Sequence, residues 1–492
     1  MTKEEPALAG DGLDNPFDRP FSRRRLLELA AALGGAGVVL AACGSSTPAV
    51  PGLTRPGAKP KFPIGAAAKS PTKPVPVTLW HSMTDVNLAT LQSLTKQFNA
   101  SQRDVAVTLV NQTSYTDTLS LYTAALAGGT LPQLVQIETV DLQLMIDSRS
   151  ITPVGDAVAA DHYDLSDFLP TTLDYFRTVD NLWAMPFDIS TQILYYNKLA
   201  FSKAGLDPES PPASFEDLRR ASDKIVSDGV ERYGISLKPA SSNFADWLAM
   251  EGKLFVNHDN GRVGRATEVA FGGQAGLPIF EWFDEMLSDK LAQLTSNTGF
   301  DNLLAVGNRI SPMTIDTSAA LGTVVSVLSG GHYSDVELGI GRLPGPHGPG
   351  GVVIGGAGLY IVGKSTPAQQ DGAWQFTKFL VSPASQALWA AKTGYIPIRK
   401  SSLGLSVLDR AWAAVPGYRV AYDQILHSAP SVATAGAVTG PLSQIDANIV
   451  NAFTSLASGT SPAAALATAV SLSNSDIASY DQRLGGQGIG ET

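Results

Sequence analysis

Several residue groups in this chain have types and spacings that could do chemistry. The sole cysteine among 492 residues, Cys43, directly follows Leu40-Ala41-Ala42, and a basic patch at Arg23-Arg24-Arg25 stands upstream, ahead of an Ala- and Gly-rich apolar segment. A basic patch, an apolar run and small residues before a cut site make an export signal. Paired arginines resemble the twin-arginine export class, with general export as the other route. Leu-Ala-Ala-Cys resembles a bacterial lipobox, in which the thiol is diacylated and the cysteine becomes the new N-terminus. The competing reading is an uncleaved anchor, but Leu26 to Ala42 falls short of the ~20 apolar residues that a spanning helix needs.

Three other matches fail on mechanism. Gly358-Leu359-Tyr360-Ile361-Val362-Gly363-Lys364-Ser365 has the spacing of a nucleotide-binding loop, but its spacer reads as a buried strand and offers no free amides to phosphate. Ser70-Pro71-Thr72-Lys73 has the Ser-x-x-Lys spacing of penicillin-binding enzymes, yet it lies in a Pro-rich tract where no helix sets lysine against serine. The six histidines show no close pair at metal spacing, so neither a zinc site nor any other cofactor is expected. What remains is carboxylates: Glu138, Asp188 and Asp316 stand at or beside the ends of strand-like runs.

Those carboxylates must be positioned by a body of ordinary globular composition, 44% hydrophobic and 16% charged, with net charge −10. The mild acidity argues against nucleic acid as a partner. From Gly44 to Pro76 a Ser/Thr/Pro/Lys/Gly tract is expected to form a semi-extended tether, because it buries too little apolar area to offset ordering. Strands are expected over 77–80, 105–110 and 134–137. The apolar periodicity of Leu88, Leu91, Leu94 and Phe98, and the run from Tyr115 to Leu126, predict helices between them. This alternation predicts a mostly parallel sheet, whose ligands sit off the carboxyl ends of the strands. Glu138 stands at such an end, where the bland alternative is a solvated turn residue.

Further on, 197–212 reads as a turn-rich connection. Ser214 with Asp217 reads as a capping box for a helix buried through Phe215, Leu218, Ala221 and Ile225. Trp247, Phe255, Phe280, Trp282 and Phe283 are expected on further helices, in the core. Residues 352–362 read as a strand broken by Gly355-Gly356. A helix is expected over 370–380, and another opens at Ser461-Pro462.

The segment Pro186-Phe187-Asp188-Ile189-Ser190-Thr191-Gln192-Ile193-Leu194-Tyr195-Tyr196-Asn197-Lys198 resembles the extracellular solute-binding proteins of sugar-type ABC importers, and among them the glycerol-3-phosphate-binding members. Trp80-His81-Ser82-Met83, Ala204-Gly205-Leu206-Asp207-Pro208-Glu209, Ile354-Gly355-Gly356-Ala357 and Thr393-Gly394-Tyr395-Ile396-Pro397-Ile398 match in family order. The resemblance implies a two-lobed α/β fold of the periplasmic-binding-protein type (type II). Its ligand cleft lies between the lobes and its hinge is made of crossing strands, near Gln192, near Ile354 and after Leu380. The implied organisation is a signal over 1–42, a lipidated Cys43 and tether over 43–76, one lobe from 77–191 plus 354–382, and the other from 192–353 plus 383–486.

Carried over position by position, the resemblance implies ligand contacts at Tyr115, Glu138, Ser190, Gly356, Tyr395 and Ser318, where the alignment could slip to Thr317. Tyr395 reads equally as a hinge-packing ring. Two family tryptophans have no counterpart in Leu237-Lys238-Pro239-Ala240-Ser241-Ser242, and the family's phosphate-pairing arginine has none in Gly436-Ala437-Val438-Thr439-Gly440. Asp188 and Asp316 add carboxylates where neutral residues are expected, and Lys238 offers only a point charge. A phosphate dianion needs charge-assisted donors, of which a bidentate arginine is the strongest. These departures favour a neutral sugar or polyol, or a solute with a cationic group, over glycerol 3-phosphate.

The expectation is therefore a monomeric receptor without turnover, lipid-anchored to the outer face of the cytoplasmic membrane. It would hand a small hydrophilic solute (sugar, polyol or glycerol phosphate derivative) to ABC permease subunits. The alternatives are a secreted glycan-processing enzyme on the same scaffold, using paired carboxylates, and a surface adhesion or sensor protein.

Overall fold

The computed structural model describes residues 62–69, 73–178, 181–331 and 333–484. The signal-like run and Cys43 lie outside the described residues. So does most of the tether, but its far end is not extended: Phe62 and Ala67 are buried, and the Ala67 amide donates to Asp371 at 2.9 Å. The apolar pair Phe62 and Ile64 supplies the burial that the rest of the tract lacks.

Along the chain come β1 (Val75–His81), α1 (Asp85–Ser101), β2 (Val105–Asn111), α2 (Tyr115–Gly128), β3 (Leu134–Glu138), α3 (Leu142–Asp147) and the short β4 (Ile151–Thr152). Leu91, Leu94 and Phe98 of α1 are buried as their spacing predicts. Ser114 caps α2 by accepting from the Asp117 amide, and Gly129 ends it in left-handed backbone at φ 77°. Next come β5 (Met185–Ser190), β6 (Gln192–Asn197), α4 (Phe215–Ser227), β7 (Ile235–Leu237), α5 (Ser241–Met250) and α6 (Leu277–Ser288). They are followed by β8 (Ala292–Leu294), β9 (Met313–Thr317), β10 (Leu338–Arg342) and β11 (Gly355–Val362). The chain closes with α7 (Pro367–Leu380), α8 (Pro383–Thr393), α9 (Leu442–Leu456) and α10 (Pro462–Arg483), the last capped by Ser461.

Two sheets result. The first runs β2-β1-β3-β11-β4, with β5 paired to β11; the second runs β8-β7-β9-β6-β10. Both are mixed, which corrects the mostly parallel sheet expected from sequence. The helix-linked strands β1, β2 and β3 are parallel, but β11 is antiparallel to β3, β4 and β5, and β6 is antiparallel to β9 and β10. The antiparallel strands arrive from the other sheet rather than through a helical crossover, so nothing forces them parallel. The chain leaves the first sheet at Ser190 and enters the second at Gln192 with one residue between. It returns through 352–354 into β11.

Other differences are local. A short helix, Lys198–Lys203, interrupts the connection after β6 because the Asn197 side chain caps it by accepting from the Leu199 amide at 3.1 Å. Ser214 caps α4 as expected, but the Asp217 carboxylate accepts from the amide of Ala213 rather than of Ser214 (3.3 Å), so the box is offset. Phe255 is buried outside any helix. Gly355-Gly356 begins β11 instead of breaking a longer strand.

The apolar side chains form two main cores. One gathers Leu79, Val135, Phe187, Trp374 and Trp389 around the first sheet; the other gathers Trp247, Phe280, Trp282 and Phe453 around the second. Phe280 stacks on Phe453 at 4.1 Å and Phe215 on Trp282 at 3.8 Å. Each such buried ring contributes about 2–3 kcal/mol. Helix α8 does not cross to the second core after Leu380. Trp389 packs on Phe187 at 4.9 Å and Tyr395 at 5.5 Å, which keeps residues 383–398 with the first sheet. Helices α9 and α10 belong to the second core. No described helix is long and apolar enough to cross a membrane.

Candidate functional site

A cleft of about 400 Å³ opens where the two sheets meet, at the ends of β3, β5 and β9 and along the crossing segments. Its first wall comes from the β1–β3 side. Glu138 is the last residue of β3, set opposite Ala357 of β11. Tyr115 is the first residue of α2, and its hydroxyl donates to Asp188 at 2.6 Å and lies 3.3 Å from the Tyr395 hydroxyl. Tyr395 follows Gly394, whose left-handed φ of 92° ends α8, and its ring stacks on Trp389.

The floor is the crossing itself: Ser190 ends β5 opposite Gly355, and the next residue, Gly356, pairs with Ile189. Gly356 has φ +98°, and a Cβ there would stand 1.8 Å from the Asp188 carbonyl oxygen, so no other residue fits.

The second wall comes from the β6–β9 side. Asp316 near the end of β9 accepts from Lys238 at 2.8 Å and from Asn302 at 2.9 Å. Asp246 on α5 accepts from the Val353 amide at 2.8 Å, pinning the return crossing. Asp446 on α9 completes this side.

Of the residues expected from sequence, Tyr115, Glu138, Ser190, Asp316, Gly356 and Tyr395 line the cleft. Asp188 and Ser318 do not, and both are corrections. The Asp188 carboxyl is fully buried although it shares strand alternation with Ser190, because Tyr115, bonded to it, and the neighbouring Tyr395 line the cleft in its place. Ser318 is also fully buried. Its amide donates to the Thr191 carbonyl at 2.8 Å and its hydroxyl accepts from the Thr191 amide at 3.4 Å, so it staples the crossing while Thr317 faces the cleft.

Sequence reading missed Asp246, Asp446 and Tyr175, all cleft-lining. Asp246 had a signal, an acid beside Trp247 in the otherwise apolar run Phe244-Ala245-Asp246-Trp247-Leu248. Asp446 and Tyr175 had none, since only the tertiary fold brings them there.

Electrostatically the cleft is short of cations. Burial, with smaller repulsion from Asp141, Asp446 and Asp188, raises the Glu138 pKa to about 8. Burial likewise raises Asp246 to about 8, against the Val353 hydrogen bond that lowers it, and Asp446 to about 7. Lys238 is committed to Asp316, and Lys253 bonds the carbonyls of Gln274 and Ala275 at 3.3 and 3.4 Å. Among the described residues no arginine lines the cleft. The same set can accept hydroxyl protons, and the neutral forms of the raised carboxyls can donate. Among the described residues no group of three or more His, Cys, Asp or Glu is placed to hold a metal.

A family model described as bacterial extracellular solute-binding protein matches residues 93–416. The sn-glycerol-3-phosphate-binding periplasmic protein UgpB of Escherichia coli (strain K12) is 28% identical over 415 residues, covering 82% of this chain and 93% of that protein. UgpB from Mycobacterium tuberculosis, solved in complex with glycerophosphocholine, shares the fold with a TM-score of 0.70 at 20% identity, over 83% of this chain and 99% of that one. The sugar-binding protein MalE from Xanthomonas citri does so with a TM-score of 0.70 at 19% identity, over 84% and 100%.

Proposed function

This chain belongs to the bacterial extracellular solute-binding proteins, and from that premise we propose that it is the receptor of an ABC importer for a sugar or polyol, including one that carries a cationic group. The glycan-processing alternative drops out with membership, since the family and the matched relatives are binding proteins.

The observation that carries the solute class is the cleft's excess of carboxyls, Glu138, Asp246 and Asp446, over available cations. A phosphate dianion placed there would find no charge-assisted donor to spare: no arginine lines the cleft among the described residues, Lys238 is already neutralised by Asp316, and Lys253 is bonded to backbone carbonyls. Hydroxyls suit the same groups: Glu138, Ser190 and Tyr395 would accept or donate at one wall, with Asp316 and Thr317 at the other. A positive group would favour the ionised forms of Glu138 and Asp446 and so gain a counter-charge on binding. Among the relatives, one named for glycerol 3-phosphate and one solved with glycerophosphocholine mark the two ends of this choice.

The test is a calorimetric and thermal-shift panel of maltose, sorbitol, glucosamine, glycerophosphocholine and glycerol 3-phosphate. A bound solute at 100 times its Kd should add about 2.7 kcal/mol of stability. Stabilisation by a neutral or cationic member is expected; stabilisation by glycerol 3-phosphate alone overturns the reading.

The finer claims belong to the same proposal. Lobe one would comprise 77–191 and 354–382, extended to 398 by the packing of α8, and the remainder would form lobe two. Residues 1–42 would be removed and Cys43 lipidated, anchoring a monomeric receptor outside the cytoplasmic membrane beside its permease subunits. Cys43→Ser should move the protein from the membrane fraction to the soluble fraction.

A further inference from the structure

Four consecutive residues at the cleft's edge stand in left-handed backbone. His258, Asp259 and Asn260 have φ of 51°, 52° and 57°, and Gly261 follows at 74°. L-residues adopt such a turn only when their surroundings over-determine it, and this strain gathers at functional sites. Here the Asn260 carboxamide oxygen accepts from the amides of Phe255 and Val256 at 2.7 and 3.1 Å, and its nitrogen donates to the Val432 carbonyl at 3.0 Å. His258 Nδ1 lies 2.7 Å from the Arg265 carbonyl. A Cβ on Gly261 would stand 1.9 Å from the Val438 carbonyl oxygen, so the turn is pressed against its neighbour.

The turn sits on the second core, where Val256 and Ala266 are buried, yet two of its arginines end on the first. The Arg262 guanidinium donates to the carbonyls of Asp174 and Arg177 at 3.0 and 2.9 Å, and to the carbonyl of Gly436 at 3.0 Å. It also lies 5.7 Å from the Tyr175 ring, which lines the cleft. Arg265 donates twice to Asp147, at 2.8 and 3.1 Å, while the Tyr480 hydroxyl of α10 donates to the same carboxylate at 2.9 Å. Asp147 ends α3, beside Met145 of the first core. The Arg265 and Asp147 side chains are only 13% and 12% exposed, so this forked pair is shielded from water.

We propose that residues 255–265 form a latch that holds the two lobes closed, with Arg262 and Arg265 as positioning residues for solute capture. The strained turn fixes where both side chains leave the second lobe. Their bonds to Asp174, Arg177 and Asp147 exist only while the lobes are together. The latch thereby sets the share of receptor already closed when solute arrives, and apparent affinity scales with that share. This rests on the two-lobed receptor reading but not on the identity of the solute.

Spin labels at Leu121→Cys on α2 and Leu472→Cys on α10, both exposed, report the distance between lobes in the full chain with Cys43→Ser. Without solute, the otherwise unsubstituted protein should show a short-distance population. Arg265→Gln should raise the ratio of long to short distances about tenfold, and Asp147→Asn should do the same, because each removes the same pair. Thermal midpoints within a few degrees of the parent establish that both variants fold. Absence of the short-distance population in the parent overturns the latch. So does an unchanged ratio in both variants, including one accompanied by a lowered thermal midpoint. Because no solute is added, failure of the proposed solute class leaves this outcome untouched.

Discussion

Asp188 and Asp316 occupy equivalent places in the two halves of the molecule, each near the end of a strand that meets the cleft, and they are held in opposite ways. Asp188 has no cation against it. It accepts from the Tyr115 hydroxyl at 2.6 Å, and burial raises its pKa to about 7 in spite of that bond. Asp316 accepts from the Lys238 ammonium at 2.8 Å and the Asn302 amide at 2.9 Å, and its side chain is 9% exposed. One wall therefore carries a carboxyl that can stay neutral near physiological pH and orders two tyrosines from behind. The other carries an ion pair whose charges cancel at the cleft surface. An aspartate in a strand end is thus not one kind of site. What faces it decides whether it offers charge to a solute, supports a hydroxyl, or consumes a lysine.

The largest loss of stability expected is on the ion-paired side. Lys238→Met leaves the Asp316 carboxylate buried with only neutral donors, and should cost about 3 kcal/mol in urea unfolding at neutral pH. Adding Asp316→Asn should recover most of that, since the amide oxygen can still accept from Asn302. If the double variant is no better than the single, Lys238 acts by packing and the contrast with Asp188 loses its basis.

Asp188→Asn should act in the other direction. Folding raises this pKa from 3.8 to about 7, so between those values the native state holds a proton that the unfolded chain has released. Its contribution to stability falls as pH rises through that window. The asparagine variant should match the parent near pH 4 and exceed it at pH 8, by about 4 kcal/mol at most, as judged by unfolding at the two pH values. Equal stability at both would mean that the tyrosine hydroxyls hold the carboxylate as comfortably as Lys238 holds Asp316.

This contrast marks how far the sequence could be read. The alternation of strands and helices, the helix start at Ser461-Pro462 and the placement of Glu138 at a strand end follow from local pattern and turn chemistry, which depend on neighbours a few residues away, whereas the crossing near Gln192 came from the family resemblance. The family resemblance brought Tyr115, Ser190, Gly356 and Tyr395 to one place. Which side chains at a strand end reach the cleft was not legible: Asp188 shares alternation with Ser190 but sits behind Tyr115 and Tyr395, and Ser318, just past β9, turns to the Thr191 backbone, so period-two alternation does not tell what packs in front of a strand. The strand directions in each sheet, the return of α8 to the first core and the arrival of Asp446 from α9 are likewise set by long-range packing.

The smallest effect separates the two readings of Tyr395. Its ring stacks on Trp389 at 5.5 Å with 17° between planes, while its hydroxyl, 3.3 Å from that of Tyr115, reaches the cleft. Tyr395→Phe keeps the ring and removes only the hydroxyl. If the ring carries the residue's role, stability and solute affinity should both stay within about 0.5 kcal/mol of the parent. If the hydroxyl meets the solute, stability should hold while affinity for whichever sugar or polyol binds drops about tenfold, near 1.4 kcal/mol, in calorimetry. The second outcome is expected. The weak Tyr115 contact leaves the hydroxyl with bonding capacity to spare, and Asp188 already holds Tyr115 in place. The wall that lacks a cation would then act on its ligand through neutral donors ordered from behind, as the Lys238–Asp316 wall cannot.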